Sequence, residues 1–184
     1  MSLEYPEPPA VFEDGAGRQV RLRPMQDPDR WNEDLVALYT RFDTEDRAQG
    51  IPPTGEDAIA DWLDGILPGS VAVLATHGDR VVGHAMLVPD IEDPSRLDHP
   101  GSVRWELAIF VERDYQRTGI GRALLEHLLG HAVSRGVEQV WLTVERWNGP
   151  AIRLYRSVGF EDRGAERFEM EMDLDLTGQT ESTG

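Results

Sequence analysis

The sequence predicts an α/β domain, in which a sheet is flanked by helices, on three observations. Short runs of apolar, β-branched and aromatic residues recur along the chain and are typical of strands. Longer segments between them carry apolar residues at helical spacing. A glycine-rich loop joins one buried strand directly to the longest of these helices. The predicted order of elements is β-α-α-β-β-β-α-β-α-β.

The ends of the chain differ in composition from its centre. Residues 1–17 are rich in Pro, Glu and Gly, and we expect an extended N-terminal arm there. A single domain is predicted over residues 18–175, because no internal repeat or second core is visible. Residues 176–184 are expected to be a disordered tail. The first strand of the domain, residues 19–23, alternates polar and apolar side chains and stops at Pro24.

Four elements follow from periodicity in the N-terminal half. Two segments place apolar residues on one helical face, and two shorter segments are apolar enough to be antiparallel strands joined through a His-Gly-Asp turn. The helices are predicted over residues 31–42 and 54–66, and the strands over residues 71–75 and 81–88. A polar, Pro-rich surface loop is expected over residues 90–101.

A loop containing two glycines, Gln116–Gly121, carries the strongest chemical signal. It follows a buried strand over residues 105–111 and opens a helix whose leucines recur at helical spacing up to a stop at Gly136. Glycines at such a junction let backbone N–H groups close around an anion, and the helix dipole favours negative charge there. The loop therefore predicts a diphosphate-binding site.

Two common nucleotide motifs are excluded at this loop. The dinucleotide fingerprint requires G-x-G-x-x-G, and the P-loop requires a lysine after its last glycine. The loop lacks the third glycine, and all 18 basic residues of the chain are arginines.

A second motif follows the helix. Residues 140–144 form a β-branched and aromatic run typical of a buried strand. Asn148-Gly149-Pro150 is a turn with proline positioned to open a short helix, which ends in Leu154-Tyr155. Gly159-Phe160 closes this unit, and a final half-exposed outer strand is predicted over residues 167–174 because methionines alternate with acidic residues.

The pattern Gln-x-x-Gly-x-Gly, followed by the strand, the asparagine turn, Leu-Tyr and Gly-Phe, resembles the GCN5-related N-acetyltransferase (GNAT) superfamily over residues 106–160. The resemblance implies the GNAT fold: a mixed, mostly antiparallel twisted sheet of about six to seven strands flanked by about four helices. It also implies acetyl-CoA as cofactor and a primary amine as acceptor.

The resemblance assigns cofactor contacts to the strand end, the glycine loop and the second motif. Strand backbone would bind pantetheine and polarise the thioester carbonyl, while loop N–H groups and two arginines would hold the diphosphate. The implied cofactor-binding residues are Ile109, Phe110, Val111, Gln116, Arg117, Thr118, Gly119, Ile120, Gly121, Arg122, Asn148 and Tyr155.

Tyr155 and Glu106 are the candidate catalytic residues. In relatives with the Leu-Tyr ending, the matching tyrosine points at the coenzyme sulfur, so Tyr155 is the expected general acid. Glu106 lies between Trp105 and Leu107, where burial would raise its pKa toward that of a useful general base. The alternative for Glu106 is a place on the solvent face of the strand or a pair with Arg104.

Two subfamilies resemble this chain. The run from Glu106 to Val111 resembles Pat-type protein lysine acetyltransferases, which carry their catalytic glutamate at this place. The segment from Trp141 to Phe160 resembles ribosomal-protein N-terminal acetyltransferases. Their second-strand glutamate corresponds here to Thr143, which cannot act as a base, and Glu145 is a fallback.

Composition limits the partners. The net charge of −16 makes nucleic acid an unfavourable partner, and either a high-salt cytoplasm with an acidic proteome or the attraction of a cationic substrate would account for it. The chain has no cysteine, no apolar run long enough to span a bilayer and no metal-ligand spacing, so we expect a cytoplasmic protein without a metal site.

The sequence therefore predicts direct acetyl transfer to an amine in a ternary complex. Protein lysine is the favoured acceptor. A small amine such as an amino acid, polyamine or antibiotic and a protein N-terminus are alternatives, and an acyl-CoA-binding sensor is the non-enzyme alternative. Pairing of the outer strand with a second subunit is left open.

Overall fold

The computed structural model describes residues 4–43, 45 and 52–178. Within these residues, eight strands form one sheet in the order β1-β2-β3-β4-β5-β6-β8-β7, and four helices pack on its faces. The strands are β1 (Ala10–Glu13), β2 (Gln19–Pro24), β3 (Val71–His77), β4 (Arg80–Pro89), β5 (Arg104–Val111), β6 (Gln139–Glu145), β7 (Glu161–Ala165) and β8 (Glu169–Asp175). The helices are α1 (Pro28–Thr40), α2 (Glu56–Ile66), α3 (Ile120–Ser134) and α4 (Gly149–Ser157).

All neighbouring strands are antiparallel except β5 and β6, which run parallel. The predicted mixed, mostly antiparallel sheet with helices on its faces is therefore confirmed. Its strand number is higher than the six to seven expected, because β1 and β7 join the sheet at its two edges.

Part of the expected N-terminal arm belongs to the sheet. Residues 10–13 form β1, which pairs with β2, so the sheet begins before residue 18. Ahead of β1 the backbone of Pro6 lies against α3 at Gly130, where a side chain would overlap with it. The Tyr5 hydroxyl donates to the carbonyl oxygen of Val158 at 2.5 Å. These contacts fasten the segment before β1 to the helical face.

Side chains on the two faces of the sheet form two cores. On one face, α3 buries the leucines of its predicted apolar side against the sheet: Leu124, Leu125, Leu128 and Leu129. On the other face, α1 and α2 contribute Leu35, Leu38, Tyr39, Ile59 and Leu63. Because successive residues of a strand point to opposite faces, each central strand serves both cores.

The C-terminal strand was predicted as the outermost, and this is wrong. β8 lies between β6 and β7, so both of its edges are paired and it offers none to a second copy. The edge strand is β7. Its five residues are all exposed, so no apolar pattern marks it in the sequence. Leu176, placed in the expected tail, is buried and its N–H donates to the carbonyl oxygen of Glu138; residues 179–184 lie outside the described residues.

Candidate active site

The two parallel strands separate beside the glycine loop. Pairing between β5 and β6 covers three residue pairs and ends at Glu106 and Trp141. Beyond that point β5 continues to Val111 along β4, while β6 continues to Glu145 along β8. The result is a V-shaped opening in the sheet with Glu106 at its vertex.

Backbone groups of β5 face this opening at alternate residues. The N–H of Glu112 donates to Val82 and the carbonyl of Arg104 accepts from Asp90, so even-numbered residues of β5 face β4. Ile109 and Val111, being odd-numbered, direct their N–H and C=O groups into the opening. Within the described part of the chain no strand lies on that side of them.

Phe110 does not share this position. Its backbone faces β4, and its ring lies on the α1–α2 side of the sheet. There it makes edge contacts with Tyr39, at 5.2 Å between ring centroids, and with Trp62, at 6.2 Å. The structure thus brings Ile109 and Val111, but not Phe110, to the opening.

The glycine loop runs from the end of β5 into the N-terminus of α3. Gly119 caps the helix at φ 92° and Arg117 has φ 60°, both in the left-handed region. The N–H of Ala123 bonds to the carbonyl of Gly119, as expected for the first turn. The N–H groups before Ala123 therefore have no acceptor within the helix, an arrangement that is suited to an anion.

Side chains of the loop mostly support the loop itself. The Gln116 amide donates to the carbonyl of Val111 at 2.9 Å, and the Thr118 hydroxyl donates to that of Tyr115 at 2.7 Å. Arg122 pairs with Glu126 one helical turn away at 2.9 Å. A diphosphate would compete with Glu126 for the Arg122 guanidinium.

Tyr155 lies on the α3 side of the opening. It is partly buried with Leu154, Ile109 and Val111 against the same core, and its ring stacks edge-on against Phe160 with 5.8 Å between centroids. Burial raises the pKa of Tyr155 to about 12. The phenol consequently stays protonated throughout the physiological range.

Asn148 caps α4. Its side-chain oxygen accepts from the N–H of Ala151 at 3.3 Å, and its own N–H donates to the carbonyl of Glu145. This is the backbone role that turn asparagines usually have. It leaves the side-chain amide N–H₂ as the group that could contact a cofactor.

Glu106 lies on the opposite face of the sheet from Tyr155. It shares that face with its cross-strand neighbours, Val88 on β4 and Trp141 on β6. Although the side chain is exposed, desolvation by surrounding atoms raises its pKa, and the negative charge of Asp90 raises it further. The alternative pair with Arg104 is not formed, because Arg104 contacts Glu171 at 2.9 Å.

The sheet face beyond Glu106 is open and acidic. The core under α1 and α2 draws on β3, β4 and β5 and includes no residue of β6, β7 or β8. On this uncovered face Thr143 and the fallback base Glu145 lie opposite Glu171 and Glu169 of β8. A groove of about 390 Å³ is lined by Thr143, Arg163, Gly164, Ala165, Glu166, Glu169 and Glu171.

Sequence patterns missed two features near the site. Trp147 and Phe168 are exposed, at 66% and 57%, and stack edge-on. Phe168 directly precedes the groove residue Glu169 in the sequence. Trp147 lies between the polar residues Arg146 and Asn148, and Phe168 was expected only as an apolar residue of the outer strand. The turn between β1 and β2 contacts the glycine loop, which no local pattern could reveal.

Three other titratable residues, His84, Asp98 and His99, do not join the site. His84 is fully buried on β4, where its Nδ1 lies 2.5 Å from the Tyr39 hydroxyl, and burial lowers its pKa to about 3. Asp98 and His99 lie in the short 3₁₀ turns before β5. Over residues 4–43, 45 and 52–178, no three His, Asp or Glu side chains are grouped as a metal site.

None of the helices in the described ranges has the length and apolar content needed to cross a bilayer. The longest, α3, has 15 residues and carries His, Glu and Arg side chains.

Comparison with curated proteins finds a strong match over a limited segment. The chain is 51% identical over 59 residues to the ribosomal protein bS18-alanine N-acetyltransferase of Escherichia coli K12. This segment is 32% of the chain and spans 40% of the relative's length.

Solved structures match over most of the chain. The GNAT domain of PAT from S. lividans superposes with a TM-score of 0.73 at 20% identity, covering 91% of this chain and 97% of that one. A protein from Salmonella typhimurium solved with its cofactor acetyl-CoA gives a TM-score of 0.64 at 20% identity, covering 90% and 96%. These likenesses show the fold. The family model for the GNAT acetyltransferases matches residues 27–160, and the chain therefore belongs to that family, whose members use acetyl-CoA.

Proposed function

We propose that this protein is an acetyl-CoA-dependent N-acetyltransferase that transfers acetyl to a primary amine of a polypeptide by direct attack in a ternary complex. The observation that carries the proposal is the opening between β5 and β6 beside the N-terminus of α3. It leaves strand backbone and helix N–H groups available together, which an extended thioester carrier with a diphosphate requires.

The residues present fit acetyl-CoA. The backbone of Ile109 and Val111 would hold the pantetheine arm, and the N–H groups from Thr118 to Arg122 would hold the diphosphate. Acetyl-CoA supplies an activated acyl group as a thioester. A backbone N–H of β5 directed at the thioester oxygen would stabilise the charge that develops there.

Glu106 is assigned the role of general base, which accepts a proton from the amine. An alkylammonium with a pKa near 10.4 is neutral in only about 1 of 2,500 molecules at pH 7. The bound ammonium gives a proton to the Glu106 carboxylate, directly or through one water molecule, and the neutral amine then forms the C–N bond. The raised pKa of Glu106 makes it a stronger base than an ordinary glutamate.

Tyr155 is assigned the role of general acid, which donates a proton to the leaving sulfur. The C–S bond would break with its electron pair on sulfur, and the phenol would pass its proton to that atom. The phenolate would regain a proton that the new amide nitrogen releases. A pKa of about 12 keeps the phenol protonated beforehand. Glu106 and Tyr155 act from opposite faces of the sheet, which suits an acceptor and a leaving group on opposite sides of one carbonyl carbon.

The open acidic face favours a polypeptide acceptor over a small amine. Glu166, Glu169 and Glu171 line the groove, and Glu145 lies opposite Glu169 in the sheet. The core under α1 and α2 does not extend over this part of the described sheet, so the groove is open. The exposed rings of Trp147 and Phe168 provide apolar contacts near it. A cationic segment of chain that carries the amine would match both features.

Two kinds of polypeptide amine remain candidates. A lysine side chain is the first, because Glu106 lies at the vertex of the opening on the face where an extended side chain would enter. A protein N-terminus is the second, because 59 residues of the chain are 51% identical to an alanine N-acetyltransferase. The threonine at position 143 favours the first candidate, since it cannot serve as a base.

Release of free CoA from acetyl-CoA tests the proposal. The acceptors are an Arg-rich peptide with one lysine and a blocked N-terminus, the same peptide with a free N-terminus and no lysine, and a set of small amines. We expect release with the lysine peptide, with a KM that rises with ionic strength. Binding of acetyl-CoA without release for any acceptor would replace the enzyme with the sensor alternative.

Variants of the groove separate its role from that of the reaction centre. The double change Glu169→Gln and Glu171→Gln is expected to raise the KM for the cationic peptide about tenfold. The rate of acetyl transfer to a small neutral amine should not change. Glu126 lies on α3, on the other face of the sheet. It is not a suitable position for the control, because its carboxylate pairs with Arg122. Glu33→Gln on α1 removes a carboxylate outside the groove and is the matched control.

A further inference from the structure

We propose that the turn between β1 and β2, residues 14–18, clamps the glycine loop in its diphosphate-binding conformation, with Asp14 and Arg18 as positioning residues. The inference rests on the proposed function of that loop. The turn precedes the part of the chain that the family model matches, which is residues 27–160.

Asp14 makes the turn rigid. Its carboxylate has no exposed surface and accepts from the N–H groups of Ala16 and Arg18 at 3.0 and 2.9 Å. The second carboxylate oxygen accepts from the Arg18 guanidinium, also at 2.9 Å. Backbone bonds from Asp14 to Arg18 and from Gly17 to Asp14 close the turn. A buried, fully paired carboxylate of this kind holds one backbone conformation.

Gly15 connects the turn to the loop. Its N–H donates to the carbonyl oxygen of Thr118 at 2.8 Å, and its Cα approaches so closely that an added Cβ would lie 3.4 Å from Thr118. In a trans peptide the carbonyl of one residue and the N–H of the next point in opposite directions. Holding the Thr118 carbonyl toward Gly15 therefore aims the N–H of Gly119 away from it, on the side free to meet an anion.

Arg18 holds the start of the loop. One of its guanidinium nitrogens donates to the carbonyl of Asp114 at 3.2 Å, and its guanidinium carbon lies 3.9 Å from the centroid of the Tyr115 ring. The Tyr115 hydroxyl in turn lies 2.8 Å from Nδ1 of His77 at the end of β3. The loop is thus held between two strand turns, β1–β2 on one side and β3–β4 on the other.

The backbone of the loop requires such support. Arg117 has φ 60°, a conformation that costs free energy for a residue with a side chain, and Gly119 has φ 92°. An unsupported loop would relax toward ordinary φ values and lose the alignment of its N–H groups. The clamp therefore prepares the site before the cofactor arrives, which strengthens binding.

Arg18→Gln tests the clamp, with Arg21→Gln as the control. Both changes remove one positive charge from the β1–β2 hairpin, but Arg21 is an exposed residue of β2 whose neighbours in the sheet are Val11 and Thr76. Calorimetry measures CoA affinity. Turnover is measured with acetyl-CoA and with S-acetylpantetheine, which carries the thioester without the diphosphate.

We expect Arg18→Gln to weaken CoA binding about tenfold while Arg21→Gln changes it less than twofold. The kcat/KM for S-acetylpantetheine should be the same in the two variants, because that donor does not use the loop. Equal CoA affinities in the two variants would overturn the clamp. So would equal losses with both donors, which indicate a structural role only. If the wild-type protein itself does not bind CoA, the proposed function fails first.

Asp14→Asn provides a second variant of nearly unchanged shape should Arg18→Gln fold poorly. Amide hydrogen exchange in the unliganded protein then reports the loop directly. Residues 116–122 should exchange several-fold faster than in the wild type, while β6 remains unchanged. Unaltered exchange in the loop would contradict the clamp.

Discussion

Replacing Glu106 by glutamine is expected to slow acetyl transfer most at low pH. The glutamine keeps the shape of the side chain at the vertex of the opening but cannot accept a proton. A positioned general base contributes roughly 10²–10⁴-fold, and we expect a loss of about 100-fold in kcat/KM for the amine at pH 7.

The loss should shrink as the pH rises. Without a base the enzyme depends on the neutral amine, whose fraction increases about tenfold per pH unit, from roughly 1 in 2,500 at pH 7 to roughly 1 in 25 at pH 9. The wild-type rate depends instead on ionised Glu106 and is flatter over this range. Initial rates of CoA release between pH 6 and about 9.5 measure both profiles.

Two further measurements separate chemistry from folding. Glu145→Gln should change the rate less than twofold, and calorimetry should give the same acetyl-CoA affinity for Glu106→Gln as for the wild type. Because partial desolvation and the charge of Asp90 raise the pKa of Glu106 in the folded state, its ionised form opposes folding at pH values above that pKa. The melting temperature of Glu106→Gln at pH 7 should therefore be equal or higher, and this advantage should vanish as the pH falls through the unfolded value near 4.3. Parallel pH profiles for the two proteins would refute Glu106 as the base.

Three other changes test further parts of the structure. Asp90→Asn removes a negative charge that raises the pKa of Glu106, so the acid limb of the rate profile should move to lower pH; an unmoved limb would contradict this. Tyr155→Phe should lower kcat at least tenfold with little change in acetyl-CoA affinity, and equal losses in both would remove its assignment to the sulfur. Gly130→Ala should destabilise the fold by about 1–3 kcal/mol, since its Cβ would overlap the N-terminal segment, and lower the melting temperature by about 2–4 °C per kcal/mol. Gly65→Ala, whose Cβ meets open space in α2, is the control and should not lower it.

Sequence patterns predicted most of the fold because the central elements carry regular apolar spacing. The leucines of α3 and the aromatic strand β5 follow directly from such spacing. The strands that were not predicted are those without a regular apolar spacing long enough to recognise. All five residues of β7 are exposed, so it shows no apolar pattern. β1 contains Ala10, Val11 and Phe12, but it is only four residues long and follows a Pro-rich segment.

The parts of the site that consist of adjacent residues could be predicted from the sequence. The parts that depend on how distant strands pair could not. The glycine loop and the turn at Asn148 follow from adjacent residues. The separation of β5 from β6 is a difference in pairing that begins at Glu106, and a single sequence does not record it. The contact of Gly15 with Thr118 joins residues about 100 positions apart, so only the fold reveals it.

The short seam between β5 and β6 divides the sheet into two half-sheets, β1 to β5 and β6 to β8. A molecule bound along the opening would act as an additional strand that joins these halves, and its binding free energy would be added to that of folding. The C-terminal half-sheet would then resist unfolding and proteolysis more strongly as the concentration of the acyl donor rises.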